Sequence, residues 1–111
     1  MKSIIAAVLM TVFALPAMAA EAPIQIGSGP TNVGPMYAKI YVTSLSDNIV
    51  IKKIVVNRGN CKDAEATPWR PVRLGFGSRL DRIFVGKDGF STCNVLEVAV
   101  ETDQGNWKTN L

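Results

Sequence analysis

Histidine is absent from all 111 residues. Its absence removes the commonest general base, and the Ser–His and Cys–His nucleophile pairs with it. Cysteine occurs only twice, as Cys61 and Cys93. Zinc asks for about four ligands, so a metal site of that kind is not expected. There is no Cys-x-x-Cys pair to suggest redox work. No segment carries a helical apolar period over three turns, and there is no internal repeat, low-complexity tract or interdomain linker. Carboxylates are the remaining catalytic currency. Glu97 and Glu101 share a strand face, but four strand residues separate their Cα atoms by about 13 Å. Glycosidase carboxyl groups stand roughly 5–9.5 Å apart. Gly75-Phe76-Gly77 lacks the strand–loop–helix context of a phosphate loop and reads as turn or bulge chemistry. The chain is not expected to be an enzyme or to hold a cofactor.

The first residues read as a secretory signal peptide. Lys2 gives the positive start, Ile4 to Leu15 an apolar run, and Ala17-Met18-Ala19 an A-x-A cleavage site. The run is shorter than the ~20 apolar residues of a membrane span. Cleavage is expected after Ala19, with Ala20 as the alternative, and with no cysteine there a lipid anchor is not expected. The expectation is a periplasmic protein without a membrane anchor, release from the cell being the other destination. Losing Lys2 leaves 11 basic against 9 acidic side chains, a balance of +2. That is too little to imply nucleic acid.

In an oxidising compartment, two cysteines read as one structural disulfide. Closing a loop of about 33 residues stabilises by ~3–4 kcal/mol in the chain-entropy view. For a domain near the lower size limit of an unaided core, that is a large share.

The exported part reads as strands and turns. Residues 20–35, with three prolines and three glycines, look like an extended N-terminal arm holding at most a short strand at Ile24–Ile26. Residues 36–111 form the domain. Met36–Leu45 alternates, with Ala38, Ile40 and Val42 on one face and Tyr37, Lys39, Tyr41 and Thr43 on the other. Asn48–Asn57 is rich in Ile and Val, but its phase slips at Lys52-Lys53, which predicts a β-bulge or a change of sheet. Arg58–Pro71 reads as a polar loop carrying Cys61 and Trp69. Val72, Leu74 and Phe76 alternate in a third strand, and Leu80–Val85 makes a fourth. A turn at 86–89 leads to a strand opening at Cys93, with Leu96, Val98 and Val100 facing one way. Trp107 lies on the buried side of a closing strand. Six or seven such strands predict an all-β fold, a small antiparallel immunoglobulin-like sandwich or small barrel with one disulfide.

Two surface features suggest binding. Arg70, Arg73, Arg79 and Arg82 flank a predicted hairpin and suit phosphate or carboxylate groups, although ordinary surface charge would look the same. Tyr37, Lys39 and Tyr41 make an amphipathic aromatic patch of the kind enriched at interfaces, or the far face of a strand packed under a loop. Sheet edges are a third candidate, with the arm covering one in cis or donating a strand to a second copy.

The stretch Val55-Val56-Asn57-Arg58-Gly59-Asn60-Cys61, followed by Leu74-Gly75-Phe76-Gly77 and by Cys93 with Leu96-Glu97-Val98, resembles small exported bacterial proteins associated with conjugation or type IV secretion gene clusters. The resemblance covers about two-thirds of the chain and implies an accessory role beside an envelope-spanning machine. No binding residue carries over from it. The expected function is therefore a non-enzymatic binding or assembly module with an envelope protein as partner. The alternative is a secreted inhibitor of an envelope lysozyme or protease, inserting its Arg58–Pro71 loop.

Overall fold

A computed structural model describes residues 22–111, and the expected leader falls outside that range. Eight strands follow one another: β1 (Ile24–Gly29), β2 (Ala38–Ser44), β3 (Ile49–Val56), β4 (Cys61–Asp63), β5 (Val72–Leu74), β6 (Arg79–Gly86), β7 (Glu97–Thr102) and β8 (Gly105–Asn110). Every ladder is antiparallel. The order across the sheet is β1-β2-β6-β4-β3-β7-β8, with β5 added beside β3. Lettered in chain order with β5 omitted, this is A-B-E-D followed by C-F-G, the strand order of an immunoglobulin-like sandwich. The ladders of the two halves join at β4, which pairs with β6 over three residues and with β3 through Val56 and Cys61. The result is one rolled sheet, nearly closed into a barrel.

Alternation places the core. Ala38, Ile40, Val42 and Ser44 of β2 are buried, while Lys39, Tyr41 and Thr43 face outward. Ile40, Val42, Ile49, Ile51, Val56, Val98 and Val100 are sealed from solvent. These are β-branched side chains, stiff at χ1, that pack well on a pleated surface. Trp107 lies opposite Val100 and packs on the core. The expected slip in β3 is present. Ile51 pairs with Thr102 and Lys53 with Glu101, so the bulge at Lys52 lets both lysines stay exposed while Ile51 and Val56 stay inside. Two buried hydroxyls satisfy themselves locally: Ser44 Oγ donates to Ser46 O at 2.7 Å, and Thr102 Oγ1 to Gly105 O at 2.7 Å.

The structure differs from the sequence expectation at four places. β1, expected as part of an arm, pairs over all six of its residues with β2. Arg58–Pro71 is no free loop: it contains β4, Ala64 N–H donates to Ile83 O at 2.8 Å, and Trp69 Nε1–H donates to Lys52 O at 2.8 Å. β7 opens at Glu97 rather than Cys93, which leaves Leu96 outside the core and 61% exposed. Phe76 does not extend β5 but sits in the turn that follows, 69% exposed.

The Cys61–Cys93 disulfide is formed, with Cα atoms 5.6 Å apart and both residues buried. It fastens β4, at the junction of the two halves, to the segment leading into β7. Replacing both cysteines by serine should lower the unfolding free energy by about 3–4 kcal/mol. Denaturant melts of the oxidised protein and the Cys61→Ser/Cys93→Ser variant check this, and coincident midpoints would refute it.

Candidate functional site

The outward face of β1, β2 and β6 collects the side chains with most recognition chemistry. Register places Gln25, Gly27 and Gly29 of β1 beside Thr43, Tyr41 and Lys39 of β2. On the other side of β2, the same three residues meet Arg79, Asp81 and Ile83 of β6. The Tyr41 ring leans over the glycines. A Cβ added at Gly29 would lie 2.9 Å from Tyr41 Oη, and one at Gly27 would lie 3.6 Å from Cδ2. Glycine at position 29 is therefore what lets the ring lie there. From the other side the Arg79 guanidinium stacks on Tyr41, 4.4 Å from the ring centroid, and Arg79 Nε also pairs with Asp81 at 3.2 Å. A depression of about 220 Å³ is lined by Gln25, Ile26, Gly27, Tyr41, Thr43 and Arg79. Tyr37 stands apart, before β2, with its ring against Gly34.

The four arginines do not form one cluster. Arg79 belongs to the Tyr41 stack. Arg82 faces the opposite way, because it pairs with the buried Ile40 and shares its strand face with Leu80 and Phe84. Its side chain is only 12% exposed. There Arg82 Nε donates to Asp63 at 2.8 Å, Nη2 donates to Thr67 O at 2.9 Å, and the guanidinium lies 5.5 Å from the Trp69 ring centroid. Arg82 thus holds the 63–69 segment onto β6. Arg73, on β5, donates to Asn48 Oδ1 at 2.6 Å and remains exposed, as does Arg70 in the preceding loop.

A second constellation, at the end of the barrel that carries the disulfide, went unnoticed in the sequence. Asn57 and Arg58 adopt left-handed backbone (φ 51° and 57°), followed by Gly59 at φ 95°. Asparagine tolerates that region better than most residues. Asn57 Oδ1 accepts the Leu96 and Glu97 amides at 2.7 and 3.0 Å, and Nδ2 donates to Asn94 O at 2.7 Å. One side chain thus replaces ladder partners and sets where β7 starts. Arg58 pairs with Glu97 at 3.2 Å, which commits one member of the Glu97–Glu101 pair. The only forewarning was Asn-Arg-Gly-Asn, a turn composition after an apolar strand. Asn57→Ala should destabilise more than Asn57→Gly, by about 1 kcal/mol, because both lose the side-chain bonds but only alanine is strained at positive φ. Thermal or denaturant melts of the two variants give the ranking, and equal losses would contradict it.

The adjoining turn is locked by Asp88. Its carboxylate accepts the Phe90 and Ser91 amides at 2.8 Å each and the Ser91 hydroxyl at 2.6 Å. These bonds, the hydroxyl's first, lower its pKa from 3.8 to about 2. A depressed carboxyl pKa means the ordering contribution is complete above about 3.8 and is lost as pH falls through about 2. In an acid titration followed by NMR, the Phe90 and Ser91 amide shifts should move with a midpoint near 2. The Asp88→Asn variant should show no such transition, and a wild-type midpoint near 3.8 would refute the bonding. No family model, curated protein or solved structure matches this chain, so its function is argued from these two surfaces.

Proposed function

We propose that this chain is a non-enzymatic binding or assembly module of the bacterial periplasm, recognising an envelope protein through the β1–β2–β6 face. The observation that carries the reading is the Tyr41–Arg79 stack over Gly27 and Gly29. Tyr and Arg are the residue types over-represented among binding hot spots. Here the two hold each other in place before any partner arrives, which reduces the ordering cost of association. The depression beside them is the size of a side chain rather than of a metabolite, since small-molecule sites start at about 300 Å³. Lys39 and Arg79 supply donors for a partner carboxylate, and Gln25 and Thr43 supply polar groups at the rim. The leader-like N-terminus and the disulfide support export. The resemblance to proteins of conjugation and type IV secretion clusters supports a place beside an envelope-spanning apparatus.

The test is site-specific photo-crosslinking in expressing cells, with the probe at Gln25 on the rim. A defined envelope protein should be captured, and Tyr41→Ala and Arg79→Ala should each weaken its binding about tenfold or more, measured with the purified pair. Both side chains are solvent-facing, so the variants should melt close to the parent. Undiminished binding by the Tyr41→Ala/Arg79→Ala double variant would reject this face as the site.

A further inference from the structure

Three connections, 30–37, 57–60 and 87–96, meet at the disulfide end of the barrel. Register puts them there: Gly29 pairs with Lys39, Ala38 with Phe84, Gly86 with Cys61, Val56 with Val98 and Glu97 with Asn110. They are laced to one another. Cys93 N–H donates to Met36 O at 3.0 Å, Lys87 N–H to Asn60 O at 3.0 Å, and Asn57 Nδ2 to Asn94 O at 2.7 Å. The disulfide adds a covalent tie from Cys93 to Cys61. The result is a firm plate. Phe90, Leu96 and Val33 nevertheless turn their apolar side chains to solvent from it, and Phe90, at 83%, is the most exposed large apolar residue among those described. Leu96 borders a cavity of about 320 Å³, but the other lining residues are the polar Asn57, Arg58, Asn60 and Glu97, and Phe90 and Val33 stand outside it. The three side chains do not share one apolar groove that a partner of fixed shape could fill.

The charges around them are sorted by exposure. Arg58 is 79% exposed, whereas Glu97, its ion-pair partner, is only 14% exposed. Lys62 and Lys87 are exposed, and the Lys62 ammonium would stand 3.3 Å from a Cβ on Gly89, beside Phe90. Asp88 is exposed as well, but its carboxylate already accepts the Phe90 and Ser91 amides and the Ser91 hydroxyl. Three outward cations thus stand against one engaged carboxylate. The opposite end of the barrel is the converse. Phe76 is exposed there too, yet the turns at 45–48, 75–78 and 103–104 contain Asp47 and Asp103 and no lysine or arginine. The arginines of the adjoining strands, Arg73 and Arg79, are engaged by Asn48 and Asp81.

We propose that the disulfide end docks on a bilayer rich in anionic phospholipid, with Phe90 at the acyl boundary and Arg58, Lys62 and Lys87 among the phosphates. Exposed apolar side chains among cations match the two layers of such a surface, apolar beneath and anionic above. A fluid surface needs no preformed groove, because lipid rearranges around each inserted side chain. Magnitude makes both components necessary. Three partly inserted side chains do no better than a single myristoyl chain, which attaches a protein only marginally. Each cation near an anionic surface strengthens attachment about fivefold, so the attachment is reversible and depends on lipid charge. The inference stands apart from the Tyr41 face, which runs along the side of the barrel and stays open when the end is docked.

The test uses the exported, oxidised protein and vesicles of phosphatidylglycerol and phosphatidylcholine in equal parts. Co-sedimentation should show binding that weakens about tenfold or more on pure phosphatidylcholine and falls as salt is raised. Phe90→Ser should lower the partition coefficient about tenfold or more. The Lys62→Gln/Lys87→Gln variant should lower it about twentyfold. Phe76→Ser, the same change at the opposite end, should leave it unaltered, and both serine variants should melt with the parent. Phe90→Trp should gain indole emission that brominated phosphatidylglycerol quenches, whereas Trp69 and Trp107, packed against the core, should escape quenching. The proposal is overturned if the anionic vesicles leave the protein in solution, if neutral vesicles bind it equally, or if Phe76→Ser costs as much as Phe90→Ser. It is equally overturned if a photo-crosslinking residue at position 90, in expressing cells, attaches to a protein, a second copy included, and never to lipid. Capture through Gln25 should persist in Phe90→Ser, so either surface can fail without the other.

Discussion

The junction at β4 is the constraint on which the rest of the structure depends. Two half-sheets, β1-β2-β6 and β3-β7-β8, meet through a strand of only three residues, Cys61–Asp63. A ladder so short is a weak hinge, and the chain reinforces it at both ends. At one end Cys61 is bonded to Cys93. At the other, Asp63 binds Arg82, Arg82 reaches Thr67 O and the Trp69 ring, and the Trp69 indole donates to Lys52 O of β3. Both connections cross from one half to the other. Arg82 is only 12% exposed, and its partners explain why a cation is tolerated at a core-facing position. Removing Asp63 would leave that guanidinium uncompensated, the costly half of breaking a buried pair.

Much of this was legible because it follows from periodicity. Alternation in β2 separated Ile40 and Val42 from Tyr41, and the phase slip at Lys52-Lys53 marked the bulge before any register was known. The disulfide needed only the count of cysteines and the expectation of export. What was missed depends on contacts that sequence spacing does not carry. β4 is too short to display a period. The start of β7 is decided 40 residues away, where Asn57 takes the amides of Leu96 and Glu97. Arg82 was grouped with its neighbours in sequence, although Leu80-x-Arg82-x-Phe84 is itself a period of two, and following that period would have turned Arg82 inward. Charge proximity along the chain misled where strand parity was informative.

Rigidity is the property that the two surfaces share. At the β1–β2–β6 face, glycines in β1 give up their own side-chain packing so that Tyr41 can cover them, and Arg79 closes the stack. At the disulfide end, left-handed residues and an aspartate-capped turn hold polar backbone where no ladder reaches. Glycine in a strand and left-handed asparagine are both locally unfavourable choices. They persist where the surroundings over-determine the backbone, as the Tyr41 ring does over the β1 glycines and the Leu96 and Glu97 amides do around Asn57. A surface held this way loses little conformational freedom on binding, so more of its contact energy appears as affinity.

The sheet edges are less suited to that role than either surface. β1 is bracketed by Pro23 and Pro30, neither of which can donate to an incoming strand, and all six of its residues already pair with β2. Exchange of β1 between copies would first have to break that ladder. β8 exposes Asn106, Lys108 and Asn110, polar and charged residues of the kind that discourage edge-to-edge pairing. An immunoglobulin-like sheet whose edges are guarded in this way and whose outward face carries the Tyr41–Arg79 stack presents side chains rather than open backbone to its surroundings. Backbone pairing accepts many partners, because every strand offers the same donors and acceptors. A side-chain surface of fixed shape accepts few, because a wrong partner leaves its polar groups unpaired.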